Sequence, residues 1–124
     1  MQIKNKVIVV TGAGSGIGKA LVSRFMSLEA QAVIAVDLHS DTAQQTAAEC
    51  GCVAMTADVG KEDDVRRVIE ETERTAGPID LFCSNAGVAL GPDEQANNDE
   101  WQTSWDVNVM SHVYASRYLV PRMI

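Results

Sequence analysis

With 124 residues, 46% of them hydrophobic and 22% charged, the chain has the apolar content for one folded core, which excludes a disordered segment and leaves no room for a second domain. Its 17 acidic side chains outnumber the 10 basic ones, and the net charge of -7 argues against a nucleic-acid partner. No run of about 18 apolar residues suits a membrane span, and Met1 to Val7 lack the apolar stretch of a secretory leader, so one cytoplasmic domain over residues 1–124 is expected.

Val7 to Val10 is a β-branched run of continuous apolarity, the pattern of a parallel strand buried on both faces. A glycine-rich turn follows from Thr11 to Gly18, and then Ile17, Ala20, Leu21, Phe25 and Leu28 recur at helical spacing. Ala32 to Val36 repeats the buried-strand pattern and stops at Asp37. Ser40 and Asp41 then offer N-cap oxygens to an alanine-rich helix. Cys52 to Ala57 predicts a third strand closed by Asp58. From Lys61 to Ala76, residues Val65, Val68, Ile69, Thr72 and Ala76 share one helical face, and Gly77-Pro78 ends it.

Ile79 to Ser84 predicts a fourth strand, which runs into Asn85-Ala86-Gly87 and a polar loop from Leu90 to Asn98. One helix is expected from Asn98 to the end of the chain, with apolar residues on more than one stripe and hence two packing surfaces. Alternating strands and helices demand right-handed crossovers, so the fold class is doubly wound α/β with a parallel sheet. Cys50, Cys52 and Cys83 are an odd number with no partner at zinc-site spacing, which predicts buried free thiols and no metal site.

The turn Thr11-Gly-Ala-Gly-Ser-Gly-Ile-Gly18 fails two phosphate motifs. A P-loop ending at Gly18-Lys19 needs glycine at Ala13 and a hydroxyl at Ala20. The G-x-G-x-x-G pattern needs glycine at Ile17 or Lys19. What fits is the wider spacing of Gly12, Gly16 and Gly18, with the same physics: a tight turn whose N–H groups approach a pyrophosphate at a helix N-terminus. Asp37 lies 37 - 18 = 19 residues beyond the last glycine, where a carboxylate accepts hydrogen bonds from ribose hydroxyls. That carboxylate would repel a 2′-phosphate, and Leu38 and His39 bring no fixed positive charge, so NAD is expected over NADP.

These residues resemble the short-chain dehydrogenases/reductases along essentially the whole chain. Thr11-Gly12-x-x-x-Gly16-x-Gly18 is similar to that family's cofactor turn, with Asp37 as its ribose acid and Asp58-Val59 as the pair flanking adenine. Asn85-Ala86-Gly87 resembles its cofactor-channel motif, and Asn108 the asparagine of its catalytic tetrad. The resemblance implies a Rossmann-type sheet of about four strands, order 3-2-1-4, and cofactor contacts from Gly12, Ser15, Gly16, Ile17, Gly18, Asp37, Leu38, Asp58, Val59, Asn85, Ala86 and Gly87. It also implies reversible hydride transfer between nicotinamide and a small alcohol or ketone.

The family's serine and its Tyr-x-x-x-Lys pair have no counterpart: Tyr114 precedes Tyr118, and Tyr118 precedes Arg122, which makes a poor proton relay. Both tyrosines read as packing residues, and His39 and His112 as surface or interface groups. The expectation is therefore a truncated, cofactor-binding half that is inactive alone and either self-associates into a homo-oligomer or is a fragment of a longer native chain. A catalytically dead nucleotide-binding or interaction module is the alternative.

Overall fold

A computed structural model describes residues 1–124. The chain runs β1 (Val7–Thr11), α1 (Gly16–Ser27), β2 (Ala32–Asp37), α2 (Ser40–Cys50), β3 (Val53–Thr56), α3 (Glu62–Ala76), β4 (Leu81–Cys83) and α4 (Asn98–Trp105). A π-turn (Asp106–Met110) then leads into α5 (Ser111–Met123). The four strands form one sheet of order β3-β2-β1-β4, and every pairing is parallel.

Alternate residues of the central strands feed two cores. Val7, Val9, Ile34 and Val36 face α3 and α5, where Val65, Val68, Ile69, Ala115 and Leu119 complete one cluster. Ile8, Val10, Val33 and Ala35 face α1 and meet Val22. This two-sided burial is why both strands read as unbroken apolar runs. Each fully buried Val or Ile contributes about 1.5–3 kcal/mol. β3 is an edge strand with Val53 and Thr56 exposed, and it is shorter than the run Cys52 to Ala57 implied. At the other end of the sheet, Asp80 Oδ2 accepts from the Val7 N–H at 2.8 Å and fixes the start of β1 against β4.

Three sequence expectations are corrected. Neither Ser40 nor Asp41 caps α2: His39 occupies the N-cap position, and Asp41 Oδ1 instead accepts from the adjacent Thr42 N–H at 2.9 Å. The helix starts one residue early because Asp37 Oδ2 collects both the His39 N–H and the Thr42 hydroxyl. The last helix is not continuous α but is interrupted by the π-turn at residues 106–110. One face packs on the chain through Ala115 and Leu119, and Trp101, Trp105, Val113 and Val120 on the other side are exposed. The three cysteines are free but half-buried rather than fully enclosed. No helix is long and apolar enough to cross a membrane.

Candidate functional site

In an open parallel sheet, the crevice forms at the carboxyl ends of the strands where the order reverses. Here the reversal lies between β1 and β4, so the glycine turn after β1 and Asn85-Ala86-Gly87 after β4 face each other. They wall a cleft of about 370 Å³. Of the expected cofactor residues, Gly12, Ser15, Gly16, Ile17, Asp37, Leu38, Asp58, Val59, Asn85, Ala86 and Gly87 all line it. Gly18 does not: it is buried in the first turn of α1, where a Cβ would strike the Gly12 carbonyl.

Thr11 joins the two walls. Its hydroxyl accepts from the N–H groups of Asn85 at 3.0 Å and Ala86 at 3.1 Å, and it donates to the Cys83 carbonyl at 3.3 Å. The Asn85 amide donates back to the Thr11 carbonyl at 3.0 Å. Gly12 therefore passes so close to β4 that a Cβ would lie 2.9 Å from Ala86 Cα, and its φ of +66° also favours glycine.

The rest of the turn presents backbone. Ser15 is the N-cap of α1, its side chain makes no capping bond, and the first turn holds no acidic residue. By contrast α3 opens on Glu62, Asp63 and Asp64. The free N–H groups of α1 and its dipole are thus left to attract an anion in the cleft.

Asp37, at the end of β2, accepts from the Gly14 N–H at 3.2 Å, the His39 N–H at 3.3 Å and the Thr42 hydroxyl at 3.0 Å. Asp58 has a local task as well: its Oδ1 accepts from the Gly60 N–H at 2.9 Å, and its own N–H donates to Asp64 at 2.8 Å. The lining contains neither lysine nor arginine.

Asn108 sits in the π-turn, outside the cleft lining. Its Oδ1 accepts from the Val88 N–H at 2.8 Å and its Nδ2 donates to the Val88 carbonyl at 2.7 Å, a two-point clamp on the backbone just beyond Gly87. Val88 and the adjacent Val107 do line the cleft. Sequence reasoning missed both, together with Val36, Ala57 and the Asp37 partners Gly14 and Thr42, because a lone valine or threonine carries no local signal. Tyr114 and Tyr118 pack beside α3, where Tyr118 donates to Glu62 at 3.1 Å, and Arg122 pairs with Glu73 at 3.0 Å. His39 stands at the cleft rim, and the exposed His112 shares a 2.6 Å hydrogen bond with Ser84.

A doubly wound sheet with a glycine turn at its reversal point and an acid ending β2 defines a nucleotide-binding α/β protein. The short chain dehydrogenase family model matches residues 6–124, and the chain belongs to that family of oxidoreductases. An uncharacterized oxidoreductase of Schizosaccharomyces pombe is 34% identical over 99% of this chain and 46% of its own length. The 1-deoxy-11-beta-hydroxypentalenate dehydrogenase of Streptomyces exfoliatus is 38% identical over 100% of the chain and 48% of its own. The crystal structure of 3-ketoacyl-(acyl-carrier-protein) reductase from Brucella melitensis, complexed with NADH, matches with a TM-score of 0.90 and 33% identity, covering 96% of this chain and 50% of that one. The chain thus spans about half the length of the curated relatives it matches.

Proposed function

We propose that this chain binds NAD(H) in the cleft and forms the cofactor-binding half of an oxidoreductase that moves a hydride between nicotinamide and an alcohol or carbonyl carbon. The observation that carries this reading is Asp37 at the rim of the glycine-turn cleft, in a lining without lysine or arginine. A carboxylate there accepts from ribose hydroxyls and repels the 2′-phosphate of NADP. The N–H groups at the start of α1 would receive the pyrophosphate. Leu38 and Val59 offer apolar surface to adenine, and Asn85 to Gly87 line the channel toward the nicotinamide.

The cofactor, when bound, supplies the hydride chemistry; the residues here bind and orient it. Both ends of the Asn108 amide are used on Val88, so its contribution is to hold that strap in position. With no Tyr-x-x-x-Lys in residues 1–124, cofactor binding without turnover is expected of this chain alone. The dehydrogenase from Streptomyces supports a small hydroxylated substrate. Three free thiols suit a reducing cytoplasm.

Self-association fits the exposed stripe of Trp101, Trp105, Val109, Val113 and Val120. Sedimentation equilibrium should give a wild-type dimer that Trp105→Glu dissociates, and a monomeric wild type refutes it.

Calorimetric titration tests the cofactor reading. NADH should bind at least about tenfold tighter than NADPH, equivalent to roughly 1.4 kcal/mol of like-charge repulsion. Tighter binding of NADPH overturns the assignment.

A further inference from the structure

The carboxylate of Asp37 is held before any ligand arrives. Gly14 donates to Oδ1, while His39 and Thr42 donate to Oδ2. A carboxylate offers about four acceptor positions, so one remains open. A ribose hydroxyl aimed at this group supplies the fourth donor.

Two of the three donors already present are backbone N–H groups fixed by the glycine turn and the start of α2. The third is a rotor. Thr42 Oγ1 lies 3.0 Å from Asp37 Oδ2 and also 3.0 Å from the His39 carbonyl, so its single proton has two equidistant acceptors. Of the two, the charged carboxylate is the stronger acceptor, so the hydroxyl donates to Asp37.

Packing holds the same three residues together. A Cβ on Gly14 would lie 2.8 Å from Asp37 Cγ and 2.8 Å from Thr42 Cβ, so the turn can approach the acid and the threonine only as glycine. Gly14 lies outside the Gly12, Gly16, Gly18 spacing, and this contact gives it a reason to be glycine.

We propose that Thr42 is the positioning residue that sets cofactor specificity, its hydroxyl staying on Asp37 Oδ2 in the complex and holding the carboxylate aimed at the adenosine ribose. This rests on the NAD(H) reading above. Thr42→Val removes the hydroxyl at nearly constant volume, Thr42→Ala removes it without added bulk, and Thr42→Ser retains it. NADH and NADPH are titrated calorimetrically into each variant after circular dichroism shows it folded.

Loss of a hydrogen bond to a charged group predicts an NADH affinity about tenfold weaker in Thr42→Val and Thr42→Ala. NADPH affinity should change little, so the preference for NADH collapses, and Thr42→Ser should restore it. A purely structural role would weaken both cofactors alike. A wild type that binds NADH, with both hydroxyl-free variants keeping its NADH-to-NADPH ratio, overturns the role of Thr42 alone. A folded wild type that binds neither cofactor overturns the reading of the cleft, and the proposal with it.

Discussion

Replacing Thr11 by valine keeps the side-chain volume and removes only the hydroxyl on which the cleft walls meet. Thr11 is 4% exposed, and the hydroxyl serves the N–H groups of Asn85 and Ala86 and the carbonyl of Cys83. Thr11→Val leaves all three without that partner. A stranded buried polar group costs about 1–3 kcal/mol. The bond to Cys83 is the longest of the three and contributes least, and the N–H groups of Asn85 and Ala86 are only part-buried at the cleft, so each costs in the lower half of that range and the expected loss is about 2–4 kcal/mol. A domain of this size has roughly 5–15 kcal/mol in total. Thr11→Ser keeps the three bonds and loses one methyl group, at about 1 kcal/mol. Urea unfolding followed by far-ultraviolet circular dichroism should therefore rank wild type above Thr11→Ser above Thr11→Val. If the valine variant is as stable as the serine variant, the hydroxyl does not hold the walls together and the reasoning fails.

Thr72, buried in α3, has a hydroxyl with no hydrogen-bond partner, so Thr72→Val should be neutral or stabilising by up to about 1 kcal/mol in the same assay. A loss above that range would reveal a partner for the hydroxyl. Glu62 is held below its ordinary value of 4.5 by the Arg117 guanidinium and then by the Tyr118 hydroxyl. A depressed folded value means that this lock between α3 and α5 stabilises above pH 4.5 and is lost as pH falls through the depressed value. Glu62→Gln should accordingly flatten the loss of stability between about pH 5 and about pH 3, and parallel curves for the two proteins would contradict the pairing. Burial, followed by the neighbouring Cys50, pushes the Cys52 thiol up to about 11, and burial also raises Cys83. Both should alkylate much more slowly folded than unfolded at neutral pH by mass spectrometry; rapid labelling of the native protein would refute this.

What the sequence reveals here follows the range of the interactions. β1 and β2 are legible because burial on both faces writes itself into consecutive residues, and α3 because its buried face repeats at helical spacing. The glycine turn is legible because close backbone approach excludes every other residue at Gly12 and Gly18. The start of α2 is misread because the competing acceptor, Asp37, lies on the preceding strand and draws the His39 N–H and the Thr42 hydroxyl to itself. Thr42 itself is silent in the sequence: a threonine early in a helix normally has only a local partner.

The π-turn is the clearest case of structure decided at long range. Residues 101, 105, 109 and 113 recur every four positions, a spacing that drifts by about 40° per step around a pure α-helix. The wider turn at residues 106–110 takes back much of that drift, so Trp101 and Trp105 keep to the same exposed side as Val113 and Val120. The same insertion carries Asn108 to the backbone of Val88, 20 residues earlier in the chain, and sets Val107 into the cleft. Nothing in Trp105-Asp-Val-Asn-Val109 taken locally asks for a π-turn. The two-point bond to Val88 that accompanies it exists only once β4 has delivered Asn85 to Gly87 against the glycine turn. Asn108 thus ties one wall of the cleft to the helix that carries the exposed stripe, and a displacement at either end has a covalent and hydrogen-bonded route to the other.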